Sequence, residues 1–170
     1  MAASGRTPPR TSGPLTAADL IDRLELIQNP LGGWFRSVHV TDAPDSRRPP
    51  ASVITYLVEA GAPIGYFHRM SAEAVHYFHQ GDPLHVITIS PDGEVVTAVL
   101  GHDLDAGERL QLLVPSGWWT AFDLGAGAWS LLSEAVAPAW VPGDNEDATA
   151  ALYEDEVSPR RELIQRLVRP

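Results

Sequence analysis

The sequence contains no cysteine and no lysine. Without cysteine there is no disulfide, no thiolate nucleophile and no zinc–thiolate centre. Without lysine there is no Schiff-base chemistry, no internal pyridoxal-phosphate linkage and no Walker-type phosphate loop. Acid–base chemistry therefore falls to His, Asp, Glu or Tyr. Positive charge is scarce as well. The 12 basic residues, all arginine, stand against 22 acidic ones, for a formal charge of −10. Nucleic-acid binding and attachment to anionic membranes both rest on clustered positive charge, so neither partner is expected. No stretch approaches the roughly 20 apolar residues of a membrane-spanning helix. The opening MAASGRTPPRTSGP lacks the apolar core of a secretory signal, which predicts a cytoplasmic protein.

What is present fits one folded domain: 170 residues, 44% of them hydrophobic, with 15 prolines and 14 glycines to make turns. Residues 1–14 are rich in Gly, Pro, Ser and Thr and are predicted to be a disordered tail. Thr16 is placed to cap a helix with Asp19 in its first turn. Leu20, Ile21, Leu24 and Ile27 continue at helical spacing until Asn29-Pro30, and Gly32-Gly33 then turns the chain. A loop over 43–50 separates the first two of a series of short alternating segments. These are 34–41, 52–59, 65–69, 74–79, 84–90, 94–100, 110–114, 118–123 and 128–136, with Pro91-Asp92-Gly93 as a hairpin turn. Roughly nine short strands predict an all-β sandwich or barrel over 15–142. Residues 143–170 form an acidic extension, read as a solvated face, with a short helix opening near Ser158 and carrying Leu163, Ile164 and Leu167 on one side.

The chemistry concentrates between Gly61 and Gly81, where three of the six histidines fall: His68, His76 and His79. Imidazole titrates nearest neutral pH and is the commonest metal ligand. On a strand, side chains alternate, so Ala74, His76 and Phe78 share one face and Val75, Tyr77 and His79 the other. By the same parity Tyr66 shares the face of His68. Glu73 precedes the strand. Glu134 is the one carboxylate in the apolar run Trp129–Ala137; it must be exposed, paired or neutral, and a neutral buried carboxyl is the usual form of a general acid. Gln111 shares a face with Leu113 and is suited to orient a polar substrate group, and either Trp118 or Trp119 faces inward.

Several short motifs occur in order: Leu20-Ile-Asp-Arg-Leu24, Asn29-Pro-Leu-Gly-Gly-Trp-Phe-Arg36, His68-Arg69, Phe78-x-x-Gly-Asp-Pro-Leu84, Leu100-Gly101, Gln111-x-x-Val-Pro-Ser-Gly-Trp-Trp119, Ser130-Leu131 and Val136-Ala-Pro138. Through them the chain resembles the cupin superfamily over about 18–142, and a single-domain bacterial and fungal branch in particular. The resemblance implies a cupin-type small β-barrel, or jelly roll, with the Ala74 face inside. It also implies a metal site of two histidines, a glutamate and a third histidine. In this chain Tyr66 replaces the first histidine, Ala74 the glutamate and Thr120 the last histidine, leaving His68.

The expected protein is thus a small-molecule enzyme using His76, His68, Tyr66 and Glu134 for acid–base chemistry, as an isomerase, epimerase, cyclase or lyase. Gln111, Trp119, Phe78 and Thr120 are the expected substrate contacts, and no cofactor is expected. Two alternatives stay open. One is a metal-dependent, oxygenase-like cupin with a divalent ion on His68, His76 and Glu73 or Glu134. The other is a non-catalytic binding module for a sugar-like or aromatic metabolite. The resemblance further implies a homodimer.

Overall fold

The computed structural model describes residues 13–43, 48–154 and 160–170. The expected tail over 1–12, the middle of the 43–50 loop and Ser158 lie outside the described residues. Helix α1 spans Ala17–Arg23. Eleven strands follow: β1 Ile27–Gln28, β2 Trp34–Val40, β3 Ser52–Glu59, β4 Ile64–Met70, β5 Glu73–Gly81, β6 Leu84–Ile89, β7 Val95–Leu100, β8 Gln111–Val114, β9 Trp119–Asp123, β10 Trp129–Ala137 and β11 Asn145–Asp147. A 3-10 turn over Ala150–Leu152 leads to helix α2, Arg160–Leu167.

The strands form two antiparallel sheets. One has six strands in the order β1-β2-β3-β10-β5-β8, and the other five in the order β11-β4-β9-β6-β7. This is a cupin jelly roll whose two sheets share no strand pairing among the described residues, so the barrel is not closed by hydrogen bonds. The nine segments read from alternation are β2 to β10. The period-2 pattern appears directly in the burial of β10, where Ser130, Leu132, Glu134 and Val136 are buried and their neighbours are not.

Tyr56, Val58, Phe78, Leu84, Val86, Phe122 and Leu132 meet between the sheets and make the central core. Each sheet also has an outer face. Helix α2 covers that of the five-stranded sheet, placing Ile164 and Leu167 against Phe67, Ile87 and Ala121. Helix α1 covers only one end of the six-stranded sheet, over Leu57 and Leu131.

The helix start is as expected. Thr16 Oγ1 accepts from the Asp19 amide at 3.2 Å and Asp19 Oδ2 accepts from the Thr16 amide at 3.0 Å, a reciprocal cap. The helix stops earlier than its apolar spacing predicts. Glu25 takes φ +52, a left-handed conformation that ends the helix, and Ile27 becomes part of β1 with 61% of its surface exposed.

The acidic extension is built into the fold. Asp144 pairs with Arg48, Glu146 makes two 2.8 Å hydrogen bonds with Arg69, and Asp147 accepts from Arg169 at 2.6 Å. Three arginines from distant parts of the chain thus hold β11 at the edge of β4.

Candidate active site

A cavity of about 550 Å³ opens between the sheets. The six-stranded sheet contributes Phe35 and Ser37 from β2, Ile54 and Tyr56 from β3, and Glu134 and Val136 from β10. The five-stranded sheet contributes His68 and Met70 from β4, Phe122 from β9, and Asn145 and Asp147 from β11. Asn29, Pro30 and Leu31 line it too, with Trp140 and Arg169. The 29–33 turn reaches the wall because Gly32 has no side chain: at φ +99, a Cβ there would lie 2.0 Å from the Ile64 carbonyl oxygen. Tyr56 fastens the same turn, its hydroxyl donating to the Gly32 carbonyl at 2.9 Å.

Glu134 is 8% exposed, and the residue opposite it on β5 is His76. His76 Nδ1 lies 3.5 Å from Glu134 Oε2, long for a hydrogen bond. Burial raises the Glu134 carboxyl to about 7. Burial, and secondarily the charge of His68, lowers His76 to about 3. The two groups are thus pushed toward a neutral acid and a neutral imidazole, not toward an ion pair. The imidazole packs edge-on against the Phe122 ring at 5.0 Å. Burial, joined by the Glu134 charge, also raises the Tyr56 phenol, which stays protonated.

His68 faces the cavity from the opposite sheet. Its Nδ1 is 3.0 Å from the Tyr66 carbonyl, which can only accept, so Nδ1 carries the hydrogen and Nε2 keeps a lone pair. Burial lowers the His68 pKa, opposed by that hydrogen bond and by Asp147.

Behind the cavity lies a second space of only about 10 Å³, lined by His68, Ala74, His76, Val114, Trp118 and Thr120, among others. It coincides with the positions where the cupin resemblance places metal ligands. The donor set here does not fit a divalent ion. Two imidazoles and a threonine hydroxyl remain, Glu73 is exposed at the start of β5, and no group of three or more His, Cys, Asp or Glu among the described residues is arranged to hold a metal.

The other expected site residues divide. Thr120 lines the small space. Phe78 faces inward but is buried in the core, edge-on to His102 at 4.8 Å, and lines neither cavity. Tyr66 lines neither cavity, because an irregularity in the β4–β9 ladder between Gly65 and His68 breaks the alternation that linked the two residues. Gln111 does share its face with Leu113, but that is the outer face, where Gln111 sits opposite Tyr77 and is exposed. Trp119 lies on the α2 side of its sheet with the Arg69 guanidinium 4.6 Å over its ring, and Trp118 lines the small space instead. His79 is exposed and bonds Ser133 on the outer face. Sequence reasoning missed Tyr56, Trp140, Asn145, Asp147 and Arg169. Only Tyr56 carried a signal, as the one aromatic in the alternating run of β3.

The architecture and its walled cavity define a cupin-type small-molecule protein. The chain belongs to the Cupin_5 family (DUF985) of the cupin superfamily, whose model matches residues 18–148. It is 30% identical over 172 residues to Uncharacterized protein YML079W of Saccharomyces cerevisiae, covering 88% of this chain and 82% of that one. Among solved structures it is similar to protein SO0799 from Shewanella oneidensis, with TM-score 0.84 and 36% identity over 92% of this chain and 99% of that one. It is also similar to a hypothetical protein from Leishmania major, with TM-score 0.80 and 24% identity over 92% and 100% of the two chains.

Proposed function

We propose that the protein is an acid–base enzyme acting on a small polar metabolite in the 550 Å³ cavity, of the isomerase, epimerase, cyclase or lyase type. The observation that carries this reading is the Glu134 carboxyl: buried in the cavity wall, without a cationic partner among the described residues, and raised by that burial to about 7. A proton donor and acceptor works best with a pKa near the working pH, and Glu134 meets that condition. His76, lowered to about 3, is a much weaker base. His68 faces Glu134's cavity from the other sheet, so a substrate between them meets the carboxyl on one side and an imidazole wall on the other.

The test does not require the substrate to be known in advance. A panel of hydroxy-carbonyl and carboxylate metabolites is incubated with the protein in D₂O, and deuterium entering at carbon next to carbonyl is followed by NMR. Exchange with at least one compound, lost in Glu134→Gln, is expected. Thermal stabilisation by a compound with no exchange would favour the binding module instead.

As partner we propose a second copy of the chain on the outer face of the six-stranded sheet. Val53, Ala135, Val75 and Leu113 lie side by side there across four paired strands. Leu113 is 53% and Tyr77 37% exposed. Light scattering should give the mass of a dimer, and Leu113→Arg should give the monomer. A monomeric unaltered protein would refute it.

A further inference from the structure

The small space behind the cavity raises a separate question, because a polar atom in its lining is stranded. Thr120 Oγ1 is fully buried and has no hydrogen-bond partner among the described residues, while the buried His76 Nδ1 faces the Glu134 carboxyl at 3.5 Å. Buried polar groups are nearly always paired, and leaving one unpaired is costly, so the Thr120 hydroxyl points to a partner that is not a protein side chain. The space measures about 10 Å³, at the lower bound for one water molecule. Its polar lining includes His68 and Arg69 on β4, His76 on β5, Thr120 on β9 and Trp118 just before β9. Ala74 leaves the room, since it is small and 2% exposed on the same inward face as His76.

We propose that this space is a fixed-water site, standing where the fold elsewhere holds a metal, and that the water orients His76 so that its Nδ1 lone pair accepts a hydrogen bond from the protonated Glu134 carboxyl. The hydrogen-bond bookkeeping closes. His68 gives its Nδ1 hydrogen to the Tyr66 carbonyl, so its Nε2 can only accept. A protonated Glu134 facing Nδ1 of His76 requires that nitrogen to accept, which places the His76 hydrogen on Nε2. One water then accepts from His76 Nε2–H and donates to His68 Nε2 and to Thr120 Oγ1. These are three bonds, the usual number for a buried water. His76 becomes a positioning residue: it holds the acidic hydrogen of Glu134 at the back of the cavity. The remaining charged and titratable groups around Glu134 are Tyr56 on β3, His68, and across the cavity Asp147 and Arg169. This inference rests on the reading of Glu134 as the proton donor, but the water site can be tested without it.

The experiment is NMR of the isotope-labelled full-length protein in mildly acidic solution, with no substrate added. Long-range proton–nitrogen spectra report the ring tautomers, and water-to-protein NOEs report a long-lived water. The expected result is His68 protonated at Nδ1, His76 at Nε2, and water cross-peaks to the Ala74 methyl. Thr120→Ser should keep all three, whereas Thr120→Val should lose the cross-peak and leave His76 as a mixture of tautomers. Ala74→Val fills the same space and should have the same effect if Thr120→Val does not fold. No long-lived water in the unaltered protein, or a His76 tautomer unmoved by both substitutions, overturns the proposal. That failure would leave the deuterium-exchange test of Glu134 untouched, and a Glu134 without activity would leave the water result standing.

Discussion

Glu134 and Asp123 are each 8% exposed, and they lead opposite lives. Asp123 ends β9 on the outer face, where Arg166 of α2 pairs with it and the Gly125 amide donates to it at 3.0 Å. Glu134 sits on the inner face of β10, with a neutral imidazole beside it and no cation paired with it among the described residues. The same depth of burial therefore gives a structural ion pair in one place and a titrating acid in the other. What decides is the partner and not the depth. The outer carboxylate ties a helix to a sheet, and the inner one faces a cavity.

Substitutions at the two positions should separate these roles. The largest effect is expected in Glu134→Gln, which should lower proton-exchange activity by about 10²–10⁴-fold, the usual contribution of a general acid or base. Its folding should survive, since an uncharged amide suits the wall at least as well as a carboxyl with no cation. An unchanged exchange rate would return Glu134 to a structural role. Arg166→Ala is expected to do the reverse. It leaves Asp123 buried without its partner and should cost roughly 1–3 kcal/mol in urea unfolding, with activity largely retained.

A smaller effect lies in the pH dependence of stability. Folded Glu134 titrates at about 7 against an ordinary 4.5, so the folded protein holds this proton more tightly than the unfolded chain does. Stability from this group is lost as pH rises from about 4.5 through about 7. His76 acts on the acid side. Its folded value of about 3 lies below 6.5, so the unfolded chain takes up the proton first and stability is lost as pH falls from 6.5 toward 3. Urea midpoints measured across this range should form a dome. Glu134→Gln should flatten its alkaline side, and His76→Gln should flatten its acid side. Asp123→Asn should not reproduce the alkaline effect, and if it did, the contrast between the two carboxylates would fail.

The Glu134 side of this contrast was legible in the sequence, the Asp123 side was not, and the limits have physical causes. A lone carboxylate in the run Trp129–Ala137 marks Glu134 because strand parity forces a choice between inside and outside. Parity also separates His76 from His79. It failed at Tyr66, where a ladder irregularity resets the alternation, and at Gln111, where it fixed the shared face but not which face was inward. Strand β11 carries no pattern at all: Asn145, Glu146 and Asp147 are polar throughout and are held by β4 and by arginines far away in the chain. The helix spacing through Ile27 was misleading because a single left-handed residue, Glu25, outweighs it. The cavity is a property of two packed sheets and could not be read from any one segment.

Trp140 gives the molecule a built-in optical gauge. Its indole lines the cavity, remains 45% exposed, and is held by an Nε1–H bond to Asn145 Oδ1 at 3.1 Å. Indole emission moves to shorter wavelength as water leaves the ring, so a compound seated in the cavity should report itself as a blue shift in intrinsic fluorescence. Of the other four tryptophans, Trp34 and Trp129 pack under α1, Trp119 lies beneath Arg69 and Trp118 lines the small space, so none of them lines the cavity itself. Subtracting the spectrum of Trp140→Phe would isolate the signal, so that unlabelled protein can be screened by colour alone.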